Sequence, residues 1–468
     1  MRKSNFIKYI FLFSHFIFGL NLVAQDASVL SYNVFLNNVL KNNPTAKRAE
    51  NIKQYGIYQY KSAKGNFDPS INATYDNKFF DASNYYSIVS SSVKVPIFTA
   101  QNLKFGYEYG VGANVNPEQY TSSYGMPYIG LEMGLLQGLA IDYRRAEVLK
   151  AKEYKGYYEA EKNIQLNNLL FESSIQYFDW LYSQKIVGLN QYFLTLARQR
   201  LIGIEALASI GERAAVDTIE ASIFYQSRLL DFQSSLVEQQ KQMNELLNFN
   251  WQSQASLSAN VISSDSLDGY FDKIKLSVLK ALNSDSLNNP VLSKYKSLQE
   301  VLKVDNRIKR EMIKPKLNVN YNFLSYNKAS YSPVYSQNNY KWGVDLSFPI
   351  LFRKSLNEYR MSKINTQNNE FEFQAKNNEL DFKLNALKQT IGILSEQLQN
   401  ANRAVVFNKQ LVDAEKLKFE NGESSLFILN SRESKWLESE LKLIDYKLKF
   451  IKNYLNIVYL KGNLNYQL

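Results

Sequence analysis

The two side chains that carry most enzyme chemistry are almost absent. Of 468 residues none is cysteine and one, His15, is histidine. Imidazole triads, thiolate nucleophiles, zinc sites and haem ligation therefore lack their donors. Carboxylate, lysine and oxygen-ligand chemistry remains. The acids that draw attention are Glu132 and Asp345, each inside a segment of alternating polarity, and Asp217, six residues after Gly211. An exported hydrolase would bring two such carboxylates together in a cleft. Nothing in the pattern around these acids forms a cleft, so we expect no catalytic residue, no metal site and no cofactor.

His15 itself lies in what reads as a cleavable export signal over residues 1–24. Arg2, Lys3 and Lys8 precede the apolar run Ile10 to Leu20, and Leu22-Val23-Ala24 suits cleavage near Ala24. Zero cysteine in an exported chain excludes disulfides and an N-terminal lipid anchor. The formal net charge is +11, and Arg2, Lys3 and Lys8 supply three of those charges. The other lysines are scattered among Glu and Asp, without the basic stripe or binding motif that nucleic-acid recognition requires.

The chain repeats itself at an offset of 246 positions. Asn42-Asn43-Pro44 recurs as Asn288-Asn289-Pro290, Pro69 as Pro315, and Ile71-Asn72-Ala73-Thr74-Tyr75 as Leu317-Asn318-Val319-Asn320-Tyr321. Each Asn-Asn-Pro suits a helix start. The period then changes to two. Leu317, Val319, Tyr321 and Phe323 alternate with Asn318, Asn320 and Asn322; Trp342, Val344, Leu346 and Phe348 alternate with Gly343, Asp345 and Ser347. In the first half Leu131, Met133 and Leu135 flank Glu132, and Phe105, Tyr107 and Tyr109 alternate with Gly106, Glu108 and Gly110.

Long helical stretches follow: about 142–210 then 216–247, and 355–419 then 425–460. The first of each pair would reach roughly 100 Å. Leu380, Leu384, Leu387, Ile391, Leu394, Leu398, Ala401 and Val405 keep heptad spacing. A looser seam, Phe171 to Leu196, is broken by Lys185. Gly211 and Gly422 mark the turns of two helical hairpins.

No segment after the signal has 18 consecutive apolar residues, so only a closed β-barrel would span a membrane. Leu317 to Tyr326 has the length of a barrel strand, with aromatics near its ends. Glu132, Asn318, Asn320, Asn322 and Asp345 would then face a water-filled lumen. A soluble antiparallel sheet with one wet face shares the same periodicity. Four to six such strands do not close alone, since the smallest bacterial barrels have about eight, so several copies must share one barrel.

These features together resemble the TolC family of outer-membrane efflux ducts, over nearly all of the chain beyond the signal. The resemblance rests on Leu40 to Pro44 (Leu-Lys-Asn-Asn-Pro), Phe67 to Ser70 (Phe-Asp-Pro-Ser), Phe348 to Leu351 (Phe-Pro-Ile-Leu), and two tips. Gly211-Glu-Arg-Ala-Ala-Val-Asp217 with Glu220-Ala221 resembles the first tip, and Lys418-Phe-Glu-Asn-Gly-Glu-Ser-Ser425 the second. The resemblance implies a mixed α/β membrane protein: a homotrimer whose β-barrel in outer-membrane lipid continues into a periplasmic α-helical coiled-coil barrel, with two structural repeats per chain. It further implies docking by a periplasmic adaptor (membrane fusion) protein onto an inner-membrane pump of RND or ABC type, with Gly211, Glu212, Gly422 and Glu423 at the docking tips.

Two departures stand out. Family members commonly carry acids just beyond the second tip; here the stretch is Leu426-Phe427-Ile428-Leu429-Asn430. The family's Tyr and Arg around the second glycine are matched by Phe419 and Ser424, while the acid they would engage is kept as Asp217. The resemblance thus makes Asp217, Phe419, Ser424 and Asn430 the candidates for the periplasmic gate, closed by apolar contact more than by charge-assisted hydrogen bonds. Asp217 is a helix-start residue first, and Gly211 and Gly422 are turn formers first.

The second departure is extra chain. Pro69 to Gln137 spans 68 positions where Pro315 to Leu351 spans 36, leaving room for an additional hairpin, near 86–114, that either joins the barrel or folds outside it. The expected organisation is a signal (1–24), a helix (25–69), strands (70–137), a helical hairpin (138–250), an equatorial link (251–283), a helix (284–316), strands (317–351) and a second helical hairpin (352–468). The expected function is the outer-membrane duct of a tripartite efflux or type I secretion system. The alternative is an exported coiled-coil structural or adhesive protein.

Overall fold

A computed structural model describes residues 30–97, 100–251, 265–283, 289–325 and 334–462; for 279–283 only the backbone is described. The expected signal and much of the expected equatorial link lie outside the described residues. The elements are α1 (Tyr32–Asn42), α2 (Pro44–Lys64), a 3-10 turn (Gly65–Phe67), β1 (Ser70–Phe80), β2 (Ser83–Pro96), β3 (Gln101–Val111), β4 (Met126–Gly134), α3 (Tyr143–Ser209), α4 (Ala215–Asn250), α5 (Leu267–Asn283), α6 (Pro290–Glu311), β5 (Lys316–Ser325), β6 (Tyr335–Ser347), α7 (Arg353–Glu420) and α8 (Leu426–Leu460).

The two Asn-Asn-Pro signposts do the same work in both halves. Asn43 caps α2 by accepting from the Thr45 N–H at 2.9 Å, and Asn289 caps α6 by accepting from the Val291 N–H at 2.8 Å. Proline takes the first helical position of each, where its missing N–H costs nothing. Each asparagine also donates across the fold, Asn43 to the Phe249 carbonyl and Asn289 to that of Leu460. The segment before Pro44 is itself helical, as α1, which the sequence reading had merged into one helix.

α3 and α7 are uninterrupted helices of 67 and 68 residues, each about 100 Å long at 1.5 Å per residue. α2 and α6 pack on α3 near the sheet; α4 and α8 pack back along the far ends of α3 and α7; α3 meets α8 between them. Both hairpin turns close in the same way. Gly211 and Gly422 adopt φ of +81° and +78°, the left-handed region where glycine is favoured. The next residues' amides reach back to helical carbonyls, Glu212 to Leu207 at 3.0 Å and Glu423 to Lys418 at 2.8 Å, as in a Schellman motif.

Midway along the helices sits the largest apolar cluster, with Tyr32, Phe35, Tyr177, Phe178, Trp180 and Tyr270 buried in it. Asp265 is its polar pin, accepting from the Tyr32 N–H (2.8 Å), the Tyr177 hydroxyl (2.9 Å) and the Tyr270 hydroxyl (2.9 Å). Burial, and after it the bond to Asp265, holds the Tyr270 hydroxyl protonated. Lys185, which breaks the apolar seam in the sequence, pairs with Asp268 at 2.9 Å, and Lys447 reaches the same carboxylate at 2.6 Å.

The six strands among the described residues form one antiparallel meander in the order β1-β2-β3-β4-β5-β6. The extra hairpin is β2–β3, and it is part of this sheet: ten residue pairs join β2 to β3, from Ser87↔Val111 to Pro96↔Asn102. β4 then pairs β5 across the repeat boundary. β1 and β6 are left as the two edges.

Candidate functional site

The register sorts the strand residues onto two faces. One carries Ile71, Tyr75, Val89, Val93, Leu103, Phe105, Tyr107, Ile129, Leu131, Val319, Tyr321, Trp342 and Val344, matched across strands as Val93↔Phe105↔Ile129↔Phe323↔Tyr340 and similar rows. The other carries every charged residue in the six strands: Asp76, Lys78, Lys94, Lys104, Glu108, Glu132, Lys316, Lys341 and Asp345. Nine charges all on one face of a sheet is the arrangement of a wall with a dry side and a wet side.

The strand residues singled out in the sequence all lie on this charged face. Glu132, Asn320 and Gly343 share one row; Asn318 and Asp345 are cross-strand neighbours; Asn322 stands between Gly130 and Lys341. Glu132 binds two lysines, Lys94 and Lys104, each at 3.0 Å. Glycines make room here: a Cβ at Gly106 would overlap the Tyr128 ring, which lies across it, and one at Gly130 would overlap the Asn322 side chain.

At the far end of the helices the two tips come together. Gly211, Glu212, Gly422 and Glu423 are all exposed. Asp217 lies in the first turn of α4, half-buried, with its N–H bonded to the Ala214 carbonyl at 3.0 Å. Phe419 is buried with Ile204, Ala221, Leu426 and Leu429, and the Arg213 guanidinium stacks 4.4 Å from its ring centre. Ser424 donates to Glu415 at 2.5 Å.

Asn430 belongs to a network that sequence reading missed. Arg200 on α3 pairs with Glu433 on α8 through both terminal nitrogens and donates to Asn430 Oδ1 at 2.9 Å, while Asn430 donates to Glu220 on α4 at 3.4 Å. The Arg200 and Glu433 side chains are only 13% and 5% exposed, so this is a buried ion pair tying three helices. Its signal was present: Glu433 falls in the apolar seam Leu426, Leu429, Trp436, Leu437, and Arg200 in the seam Phe193, Leu196, Ile204. Beside the pair runs a groove of about 380 Å3 lined by Tyr192, Leu196, Val412, Phe419 and Trp436.

Among the described residues no group of three His, Cys, Asp or Glu is arranged to hold a metal ion, and no helix is long and apolar enough to cross a membrane. The wall-like sheet on a long helical stem has close counterparts among solved structures. The outer-membrane channel OprN superposes with a TM-score of 0.66 at 11% identity, over 92% of this chain and 89% of that one. The chain has the fold of an outer-membrane channel. The CmeC outer-membrane channel of Campylobacter jejuni gives 0.63 at 12% identity over 92% and 85%, and the outer-membrane protein VceC of Vibrio cholerae gives 0.64 at 11% identity over 92% and 95%. No protein-family model and no curated protein matches the sequence. The outer-membrane-channel fold is the one that the resemblance to the TolC family implied.

Proposed function

We propose that this protein is a TolC-family outer-membrane channel that passively conducts substrates from the periplasm to the outside, as the outer component of a tripartite efflux or type I secretion system. The observation that carries this reading is the division of the sheet: nine charges on one face and none on the other. A soluble sheet needs no such charge-free outer face, whereas lipid penalises each misplaced charge there by about 2–4 kcal/mol at mid-bilayer depth.

The edges support assembly. β1 and β6 end the sheet, and unpaired edge strands do not persist in lipid. The stem is open at matching heights: α4 shows Val216, Ile219, Ile223, Leu230 and Val237 at heptad-compatible spacing, and the tip half of α7 shows Val406, Phe407, Leu411 and Leu417, all exposed. One copy's β1 and α4 would meet the next copy's β6 and α7. Such a head-to-tail contact generates a ring. In a homotrimer, six strands per chain give eighteen staves, within the size range of porins that hold an aqueous channel. The tips at Gly211 and Gly422 would face the adaptor, and the Asp217–Phe419 region would form the periplasmic gate.

The test contrasts neighbouring strand positions. Trp342→Arg, on the apolar face, is expected to abolish recovery of heat-modifiable oligomer from the outer-membrane fraction. Gly343→Arg, on the polar face with open space around it, is expected to be recovered normally. A mature chain that is monomeric and soluble without detergent, or equal recovery of both variants, would refute the reading and favour a non-transporting coiled-coil protein.

A further inference from the structure

One register line across the sheet reads Ser70, Lys94, Lys104, Gly130, Asn322, Lys341. It holds three lysines and no acid. Lys94 and Lys104 stand directly opposite one another on β2 and β3, a like-charge pairing that a sheet ordinarily avoids because it is destabilising. Glu132, one row away, binds both at 3.0 Å, and a single carboxylate neutralises only one of two ammonium groups. The other acids of the same face, Asp76, Glu108 and Asp345, lie in different rows.

Both members of the opposed pair sit on the β2–β3 hairpin, for which the second half of the chain has no counterpart among the described residues, where β5 and β6 alone lie between its helices. The hairpin therefore adds wall and positive charge at once. Tyr128 lies across Gly106 beside Lys104, and Asn102, paired with Glu132, accepts from Arg144 at 2.7 Å. That arginine is itself paired with Asp142 at 3.3 Å, so the excess charge at this end of the sheet is the lysines' own.

We propose that this lysine row makes the barrel favour anions, so that its cargo class is negatively charged solutes. The inference rests on the channel reading above. Repeated in each copy of a ring, the row becomes a band of excess positive charge along the water path, which concentrates counter-ions of opposite sign. Its field acts over about 10 Å at 0.1 M salt and about 3 Å at 1 M, so the preference is strongest in dilute electrolyte.

Purified protein in planar bilayers under a KCl gradient provides the test. The reversal potential of the wild type is expected on the chloride side of zero. Lys94→Gln/Lys104→Gln/Lys341→Gln is expected to move it toward potassium, Glu132→Gln further toward chloride, and the triple Lys→Arg variant to leave it in place. Lys341→Gln alone, which leaves the Glu132 cluster intact, is expected to move it in the same direction by less, and it keeps the test open should the triple variant not assemble. Wild-type cation preference, or a reversal potential indifferent to loss of the lysines, overturns the proposal while leaving the channel standing. Absence of any conductance from correctly assembled wild type overturns the channel reading itself.

Discussion

Replacing Glu433 by alanine strands the Arg200 guanidinium among apolar side chains. In the intact tip, Glu433 accepts from both terminal nitrogens of Arg200, and Asn430 Oδ1 takes a third bond at 2.9 Å. With side chains 13% and 5% exposed, solvent does little to replace the lost carboxylate. Removing one partner of a buried pair costs about 3–5 kcal/mol, and the surviving bond to Asn430 and the nearby Phe224 ring place this site at the lower end. The cluster it leans on is small, comprising Ile204, Ala221, Phe419, Leu426 and Leu429, so the loss should appear as local opening of the tip. About 3 kcal/mol corresponds to roughly 150-fold in the opening equilibrium. Hydrogen exchange on the detergent-solubilised oligomer should show that loss of protection in the facing turns of α3, α4 and α8 around residues 200, 220 and 430, with the equatorial amides unchanged. Arg200→Met/Glu433→Leu, which removes both charges and keeps the volume, should restore most of it. Unchanged exchange in Glu433→Ala, or a double variant as open as the single, would refute the reasoning.

Other outcomes follow from the same physics. Asn43→Ala and Asn289→Ala each delete a helix cap and a donor to a distant carbonyl, and should each lower stability by about 1–2 kcal/mol in denaturant titration. Burial opposes charge on Asp268, yet the hydrogen bonds from Lys447 and Lys185 outweigh it and hold this carboxyl below its usual range. A carboxyl with a depressed folded value stabilises above its unfolded value and loses that contribution as pH falls through the folded one. The Lys185–Asp268–Lys447 clamp should therefore be intact at neutral pH and weaken below about pH 4, so Asp268→Asn should show a smaller drop in melting temperature on acidification than the wild type. Gly106→Val should lower the heat stability of the oligomer because the Tyr128 ring must shift to admit its side chain, whereas Gly343→Ala should leave it unchanged; gel migration with and without heating reads both.

Much of this was legible from the chain alone where the physics is local. A strand in a sheet with one apolar and one polar face must alternate, so β5 and β6 announced themselves through Leu317 to Phe323 and Trp342 to Phe348. Helix ends were equally plain, since Asn43, Asn289, Gly211 and Gly422 each satisfy a requirement that few residue types meet. β2 was fainter because Ser87 and Ser91 occupy its apolar side, diluting the period of two. α5 was missed, its start hidden behind a polar stretch. What no local pattern reveals is partnership at a distance: Arg200 and Glu433 stand 233 positions apart, and the lysine row exists only once five strand pairings fix which residues align. Lys185 shows how such partners leave a trace, as a charge in a seam that should be apolar.

The bare margins of the sheet have a consequence for the protein's life before it reaches its destination. Every residue of β1 is exposed in the single chain, and such a margin templates pairing with whatever strand it meets. On the proposed assembly, a newly exported copy is therefore at its most hazardous between crossing the inner membrane and finding its siblings. Biogenesis must shorten that interval or escort the chain through it, and substitutions that slow ring closure should be felt first as aggregation in transit, well before any defect in conduction is seen.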